Sequence, residues 1–367
     1  MWTAHVDGIV WTSGEQPIML TDFSIIEGEY LRDLLSQPES VRNTLSHLRP
    51  RSELEQVARD LANGRFRRIV LTGMGGSYHA LYPLYLQLVN RGWPALLVET
   101  SELLGSMAEI LDPDTLLIAA SQSGRSAETV RLVDFGPRRP FVVGITNTPE
   151  SPLAQKSDVM ILTHAGAESS VSCKTYVSTL TAVEWTAAVL CGNDLNQTVG
   201  SLERAVPVME QYLAKWREHV QCLSRELAGT NDVFVAGRGT SLAAAGTGGL
   251  ILKESAHLHA EGMSSAAFRH GPFEMLSDKV FVLVFEGSGT GAALNAALVQ
   301  DIREAGGRAV LASANAPLEV FRLPAVPYAA QPLVEILPVQ MMSLVLAAQR
   351  GHEPGRFLLA TKVTTVE

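Results

Sequence analysis

The stretch RRIVLTGMGGS (residues 67–77) is answered by NDVFVAGRGTS (residues 231–241), with Gly73 and Gly237 lying 164 positions apart. In each, an apolar run of strand length ends in a glycine-rich turn, and a serine follows where a helix would begin. A second pair of anchors keeps the offset: SQSG starts 48 residues after Gly73, and EGSG starts 49 residues after Gly237. A third pair, Asn147 after VVGIT and Asn315 after VLASA, lies 168 apart. The chain therefore reads as one doubly wound module duplicated in tandem, over residues 50–192 and 229–350.

Outward from these anchors, short apolar runs alternate with longer amphipathic stretches, the pattern that buries a parallel sheet between helices. The fold class is α/β. The first half predicts strands near 68–72, 95–99, 115–120, 141–146 and 158–163, and a long helix over 174–190. Val206, Met209, Leu213, Trp216, Val220 and Leu223 recur at helical spacing ahead of Gly229, so residues 193–228 read as a helical connector. Residues 1–49 form an N-terminal segment and 351–367 a C-terminal tail.

Of 367 residues, 46% are hydrophobic and 18% charged, which is globular usage rather than that of a disordered chain. A net charge of -9 and the lack of any basic run exclude a nucleic-acid polymer as partner. Cys173, Cys191 and Cys222 show neither a CxxC spacing nor a disulfide framework, which suits a reducing compartment and a cytoplasmic protein. The opening MWTAHVDGIVWTSGEQP has no basic start followed by an apolar stretch, so no secretory signal is expected. No run of roughly 18 apolar residues predicts a membrane span.

Ligands of such modules bind at the carboxyl ends of the strands, where helix N-termini expose unpaired N–H groups. Gly73-Met74-Gly75-Gly76-Ser77 and Ser121-Gln122-Ser123-Gly124-Arg125-Ser126 are two turns of this kind. Each alone reads equally well as a turn with a helix cap. Together, at adjacent strand ends, they favour a small phosphorylated ligand. Nucleotide signatures are missing: there is no GxxxxGK[ST], and Tyr78 and Leu242 stand where a dinucleotide turn needs its third glycine.

In the second half, a long helix is read through SLAAAGTGGLILKESAHLHAEG, which would put Glu254, His257 and Glu261 on one face. Spacing alone leaves that stripe open between a solvated face and a functional one. His270 lies in a loop-like Arg-His-Gly-Pro, a placement open to either role. His257 and His259 are too close in sequence to share a helix face, and no metal-ligating cluster or cofactor is expected.

The segment LKESAHLHAEGMSSAAFRHGP closely resembles the isomerase half of the glucosamine-6-phosphate synthases (isomerising), a pair of sugar isomerase (SIS) domains. LLSQPESVRNTL, GGSY, SQSGRSAET, VSCKTY and the ending LATKVTTVE resemble the same family in the same order, over about residues 30–367. The resemblance implies that Gly76, Ser77, Ser121, Gln122, Ser123 and Ser126 hold a hexose 6-phosphate, with Val171 and Ser172 lining the sugar. It implies that Glu254 moves a proton between C1 and C2, that His270 opens the ring from a neighbouring subunit of a homodimer, and that Lys362 forms an imine with the ketose. Such chemistry suits these groups: a carboxylate beside the carbon serves both halves of the transfer, and a buried lysine becomes a nucleophile.

Departures shape the expected activity. No cysteine precedes Cys173, so no glutaminase nucleophile is present and glutamine amidotransfer is not expected. Ile251 stands where the family has a second lysine, and Arg125 where it has a glutamate. Relatives without the glutaminase include glucosamine-6-phosphate deaminases and deglycases of phosphorylated fructosamines; the latter lack the tail lysine. The expected activity is thus aldose–ketose isomerisation or deamination of an amino-sugar phosphate such as glucosamine 6-phosphate. Another phosphosugar isomerase, a deglycase, or a non-catalytic sugar-phosphate-binding regulator remain the alternatives.

Overall fold

The computed structural model describes residues 24–134, 136 and 138–364. The opening residues 1–23, where no signal was read, and the final three lie outside the described residues. Helices α1 (Glu29–Leu35), α2 (Gln37–His47) and α3 (Ser52–Ala62) precede the first sheet. Its strands are β1 (Arg68–Gly73), β2 (Ala95–Glu99), β3 (Thr115–Ala120), β4 (Phe141–Thr146) and β5 (Val159–Leu162). Between them run α4 (Gly75–Ala80), α5 (Tyr82–Asn90), α6 (Thr100–Ser106), α7 (Ala127–Leu132) and α8 (Pro152–Lys156), and α9 (Lys174–Cys191) follows. The connector is two helices, α10 (Leu195–Ala214) and α11 (Trp216–Glu226).

The second sheet is β6 (Asp232–Gly237), β7 (His259–Ser264), β8 (Val280–Phe285) and β9 (Arg308–Ala312), with α12 (Ser241–Ala256), α13 (Ser265–Phe268), α14 (Thr290–Glu304) and finally α15 (Gln331–Gln349). Strand orders are β2-β1-β3-β4-β5 and β7-β6-β8-β9, parallel throughout. β6 follows β1 by 164 residues and β8 follows β3 by 165, so the sequence offset is carried by the central strands. The chain is a pair of doubly wound α/β modules, each with its switch point between its first and third strands.

The central strands form because they are apolar on both faces: β3, TLLIAA, and β8, VFVLVF, are buried at every position. The helix expected to run on through Glu261 is shorter than its sequence suggests. The helix begun at Ser241 ends at Ala256, His257 turns left-handed at φ 49°, and Glu261 lies in β7. Glu254, His257 and Glu261 therefore do not share a helix face. β7 is an edge strand of mixed burial, so no alternating apolar pattern betrays it.

α12 sits in the seam between the modules because its small residues admit close neighbours. A Cβ on Gly262 of β7 would lie 2.0 Å from the Ala245 carbonyl, and one on Gly246 would lie 2.3 Å from His79 Nδ1 of α4. α15 closes the seam and packs on α12. The stretch Tyr328–Gln349 is long and apolar enough to cross a bilayer by length and composition, yet 89% of its most apolar window is buried inside the fold, as in a core helix. Gln37 of α2 and Gln340 of α15 exchange hydrogen bonds of 2.9 and 2.8 Å, pinning the N-terminal helices to this core.

Candidate active site

Both glycine-serine turns emerge at the carboxyl ends of neighbouring strands, since Gly73 is registered against Ala120. A Cβ at Gly73 would stand 2.9 Å from the Ala120 carbonyl, so the turns approach as closely as they do only with glycine there. In the second turn, Ser121 Oγ accepts from Gly124 N–H at 3.1 Å and Ser123 Oγ accepts from Arg125 N–H at 3.2 Å. Ser126 caps α7, accepting from Thr129 N–H at 3.4 Å. Gly76, Ser77, Ser121, Gln122, Ser123 and Ser126 are all half-buried, whereas Arg125 is exposed. The turns thus form a rim of hydroxyl and N–H groups at the switch point.

The loop before α9 supplies the next wall. Val171 is fully buried, and half-buried Ser172 shares a 2.8 Å hydrogen bond with Thr175 Oγ1. A carboxylate that sequence reading missed organises this loop. Glu168 Oε1 accepts from Cys173 N–H at 2.9 Å and Thr175 N–H at 3.1 Å, and Oε2 accepts from Thr175 Oγ1 at 2.5 Å. A second pair braces it: Asp33 of α1 accepts from Ser170 Oγ at 2.9 Å and pairs with Lys174 at 2.8 Å. The available signal was an acid shortly before a helix start.

From α15 the tail doubles back over this wall. Gly355 N–H donates to Ser255 Oγ at 3.0 Å, beside Glu254, and Thr364 O accepts from Ala127 N–H at 3.0 Å, at the first turn of α7. Between these fixed points Lys362 drops inward. Its Nζ donates to Glu168 Oε2 and to the Ser170 carbonyl, each at 2.6 Å.

Glu254, in the last turn of α12, faces the same crevice. Burial pushes its carboxyl up to about 7, while the ammonium groups of Lys362 and Lys253 pull it back and Glu168 adds to the rise. Ile251, one turn earlier, is an apolar core residue. His79 in the seam is pushed down to about 4 by burial and by Lys253, so it is neutral at pH 7.

The structure thus gathers the two turns, Val171, Ser172, Glu254 and Lys362 around one crevice. It does not bring in His270, which is exposed beyond α13 and has no hydrogen bond or ion pair with Glu254 or Lys362 among the described residues. Asp33, Glu168 and Cys173 hold potential ligand atoms within 4.8 Å of one another, but the two carboxylates are engaged by Lys174 and Lys362. All three cysteines are free thiols.

The SIS domain family model matches residues 65–189 and 226–350. The glutamine–fructose-6-phosphate aminotransferase (isomerizing) of Pyrococcus horikoshii is 31% identical over 377 aligned positions, spanning 100% of this chain and 61% of that protein. The chain thus spans about three fifths of that relative's length. Among solved structures, the C-terminal domain of glucosamine-fructose-6-phosphate aminotransferase from Francisella tularensis superposes with a TM-score of 0.77 at 22% identity, over 90% of this chain and 98% of that one. Glucosamine-6-phosphate deaminase from Thermotoga maritima gives 0.72 at 17% identity, over 92% and 100%. Those two likenesses are of fold.

Proposed function

The chain belongs to the SIS domain family, and we propose that it is a phosphosugar aldose–ketose isomerase of the deaminating kind, converting an amino-sugar phosphate such as glucosamine 6-phosphate to ketose 6-phosphate and ammonia. The observation that carries this reading is the docking of Lys362 in the crevice with Glu254, on a tail whose Thr364 carbonyl rests against the start of α7. A sugar phosphate held by its phosphate at residues 76–77 and 121–126 has its carbonyl end directed at both groups.

Each group then has a task. Ser77, Ser121, Gln122, Ser123 and Ser126 anchor the phosphate, and Val171 and Ser172 line the chain of the open sugar. Glu254 takes the proton from C2 and returns it at C1, leaving an imine at C2. A carboxyl that ionises near 7 has both forms populated at neutrality, which favours a two-way transfer. Lys362 displaces ammonia from that imine, and water then releases the ketose. With Ile251 in place of a second lysine, the transfer rests on Glu254 alone. His270 opens the ring from a partner subunit of a homodimer, in keeping with its exposure.

The test is incubation with glucosamine 6-phosphate, and with fructose 6-phosphate plus ammonium, following ammonia and ketose in wild type, Glu254→Gln and Lys362→Ala. Turnover should fall by about 10²-fold or more in both variants while phosphosugar binding persists. Unchanged turnover in either variant removes its residue from the mechanism. Tight binding with no turnover in wild type identifies a sugar-phosphate-binding regulator instead.

A further inference from the structure

Lys362 does not rest in the crevice as a free amine. Its Nζ is clasped by Glu168, whose side chain is 0% exposed, and by the Ser170 carbonyl. An ammonium in that setting has no lone pair to offer a carbonyl carbon, so its proton must first go to something within reach. Oε2 of Glu168, 2.6 Å away, is in reach. The opposite oxygen is held by two backbone N–H groups of the α9 start, which fixes the carboxylate and aims Oε2 at the lysine.

The remaining charged groups around this pair are engaged or distant in role. Asp33 from α1 is tied to Lys174. Burial pushes the Cys173 thiol and the Tyr30 phenol upward, so both are neutral. Glu254 acts on the pair from α12, beside exposed Lys253, and already has its own proton to carry.

We propose that Glu168 is the proton shuttle of Lys362, an inference that rests on the imine-forming role of that lysine. On substrate arrival, Glu168 takes one proton from the ammonium, giving a carboxylic acid and a neutral amine. Loss of water from the closed crevice favours this exchange, because a neutral pair replaces two buried charges. The nitrogen lone pair forms a bond to C2 of the ketose, the carbonyl electrons move to oxygen, and the second nitrogen proton passes to that oxygen. Glu168 then returns its proton to the new hydroxyl, which leaves as water while the nitrogen lone pair closes the iminium. The sum is ammonium plus ketone giving iminium plus water, and Glu168 ends as it began.

Borohydride trapping with fructose 6-phosphate tests this, read by intact mass and by mapping the modified peptide. Wild type should acquire one sugar adduct at Lys362, with a trapping rate nearly flat in pH around neutrality. Glu168→Gln should trap at least about 10²-fold more slowly, with a rate climbing tenfold per pH unit as hydroxide takes over the deprotonation. Its affinity for inorganic phosphate should be unchanged, because the phosphate turns are untouched. Glu168→Asp, which keeps a carboxylate, should recover part of the rate.

Equal trapping rates and pH profiles in wild type and Glu168→Gln overturn the shuttle and leave the imine reading standing. No adduct at Lys362 in wild type overturns both. Should the variants fail to fold, the wild-type profile alone decides: a tenfold climb per pH unit up to the ordinary lysine range overturns the shuttle, and a flat profile supports it.

Discussion

Replacing Glu254 by glutamine should stabilise the protein above neutrality and leave it unchanged in mild acid. Burial holds this carboxyl up to about 7 in place of 4.5, against the pull of Lys362 and Lys253. The folded value lies above the unfolded one. The stability contributed by the protonated group is therefore fully present below about 4.5 and is lost as pH rises through about 7. At 1.36 kcal/mol per pH unit, the complete loss is about 3 kcal/mol. Glutamine keeps the shape and cannot ionise, so it escapes that loss. Glu184 and Glu335, pushed by burial up to about 8 and about 7, act in the same direction, but both persist in the variant and cancel in the comparison. Urea unfolding of the two proteins should show the variant ahead by about 1–3 kcal/mol at about pH 8, narrowing to within about 0.5 kcal/mol at about pH 4. Equal stability at the higher pH, or a less stable variant, would refute the reasoning, and a carboxyl able to work in both directions at neutrality would lose its physical basis.

Lys362→Met leaves the wholly buried Glu168 without its cation and should cost about 3–5 kcal/mol, much of which Glu168→Gln in the same chain should restore; additive losses in that double-mutant cycle would show the pair to be uncoupled. Gly262→Ala puts a Cβ against the Ala245 backbone carbonyl and should cost about 1–3 kcal/mol or more in urea unfolding. Gly105→Ala, with open space around the added carbon, should instead gain up to about 1 kcal/mol. Gly124 is at φ +60° with Ser151 Oγ 2.2 Å from an added Cβ, so Gly124→Ala should weaken fructose 6-phosphate binding in a calorimetric titration; undiminished affinity would place the phosphate elsewhere.

Strand positions were readable wherever a short apolar run stood between amphipathic stretches. β2, β3 and β4 match their predicted spans end to end, β1 runs one residue longer at one end and β5 is one residue shorter at each end, because strands buried between helices show in composition alone. β7 escaped because HAEGMS is small and polar, and its place depends on β6 beside it and on the glycines that admit α12. The same contrast runs through the crevice. Its turns are local in sequence and could be read directly, and the tail lysine was reached through a resemblance. Glu168 was not reached at all, because its meaning is a contact between residues 194 positions apart. His270 lay in a telling sequence context, yet a single subunit gives its side chain no partner in the crevice.

The burial of α15 has a consequence for how the protein is made. This helix fills the seam between α12 and the connector, yet it is the last long element in chain order. While a ribosome is still translating it, both sheets can pair their strands, but the cleft that joins them stays open, with a wall of alanine, leucine and valine facing water. Joining of the two modules therefore waits until α15 has been made, and the interval before it is when chaperones have most to hold.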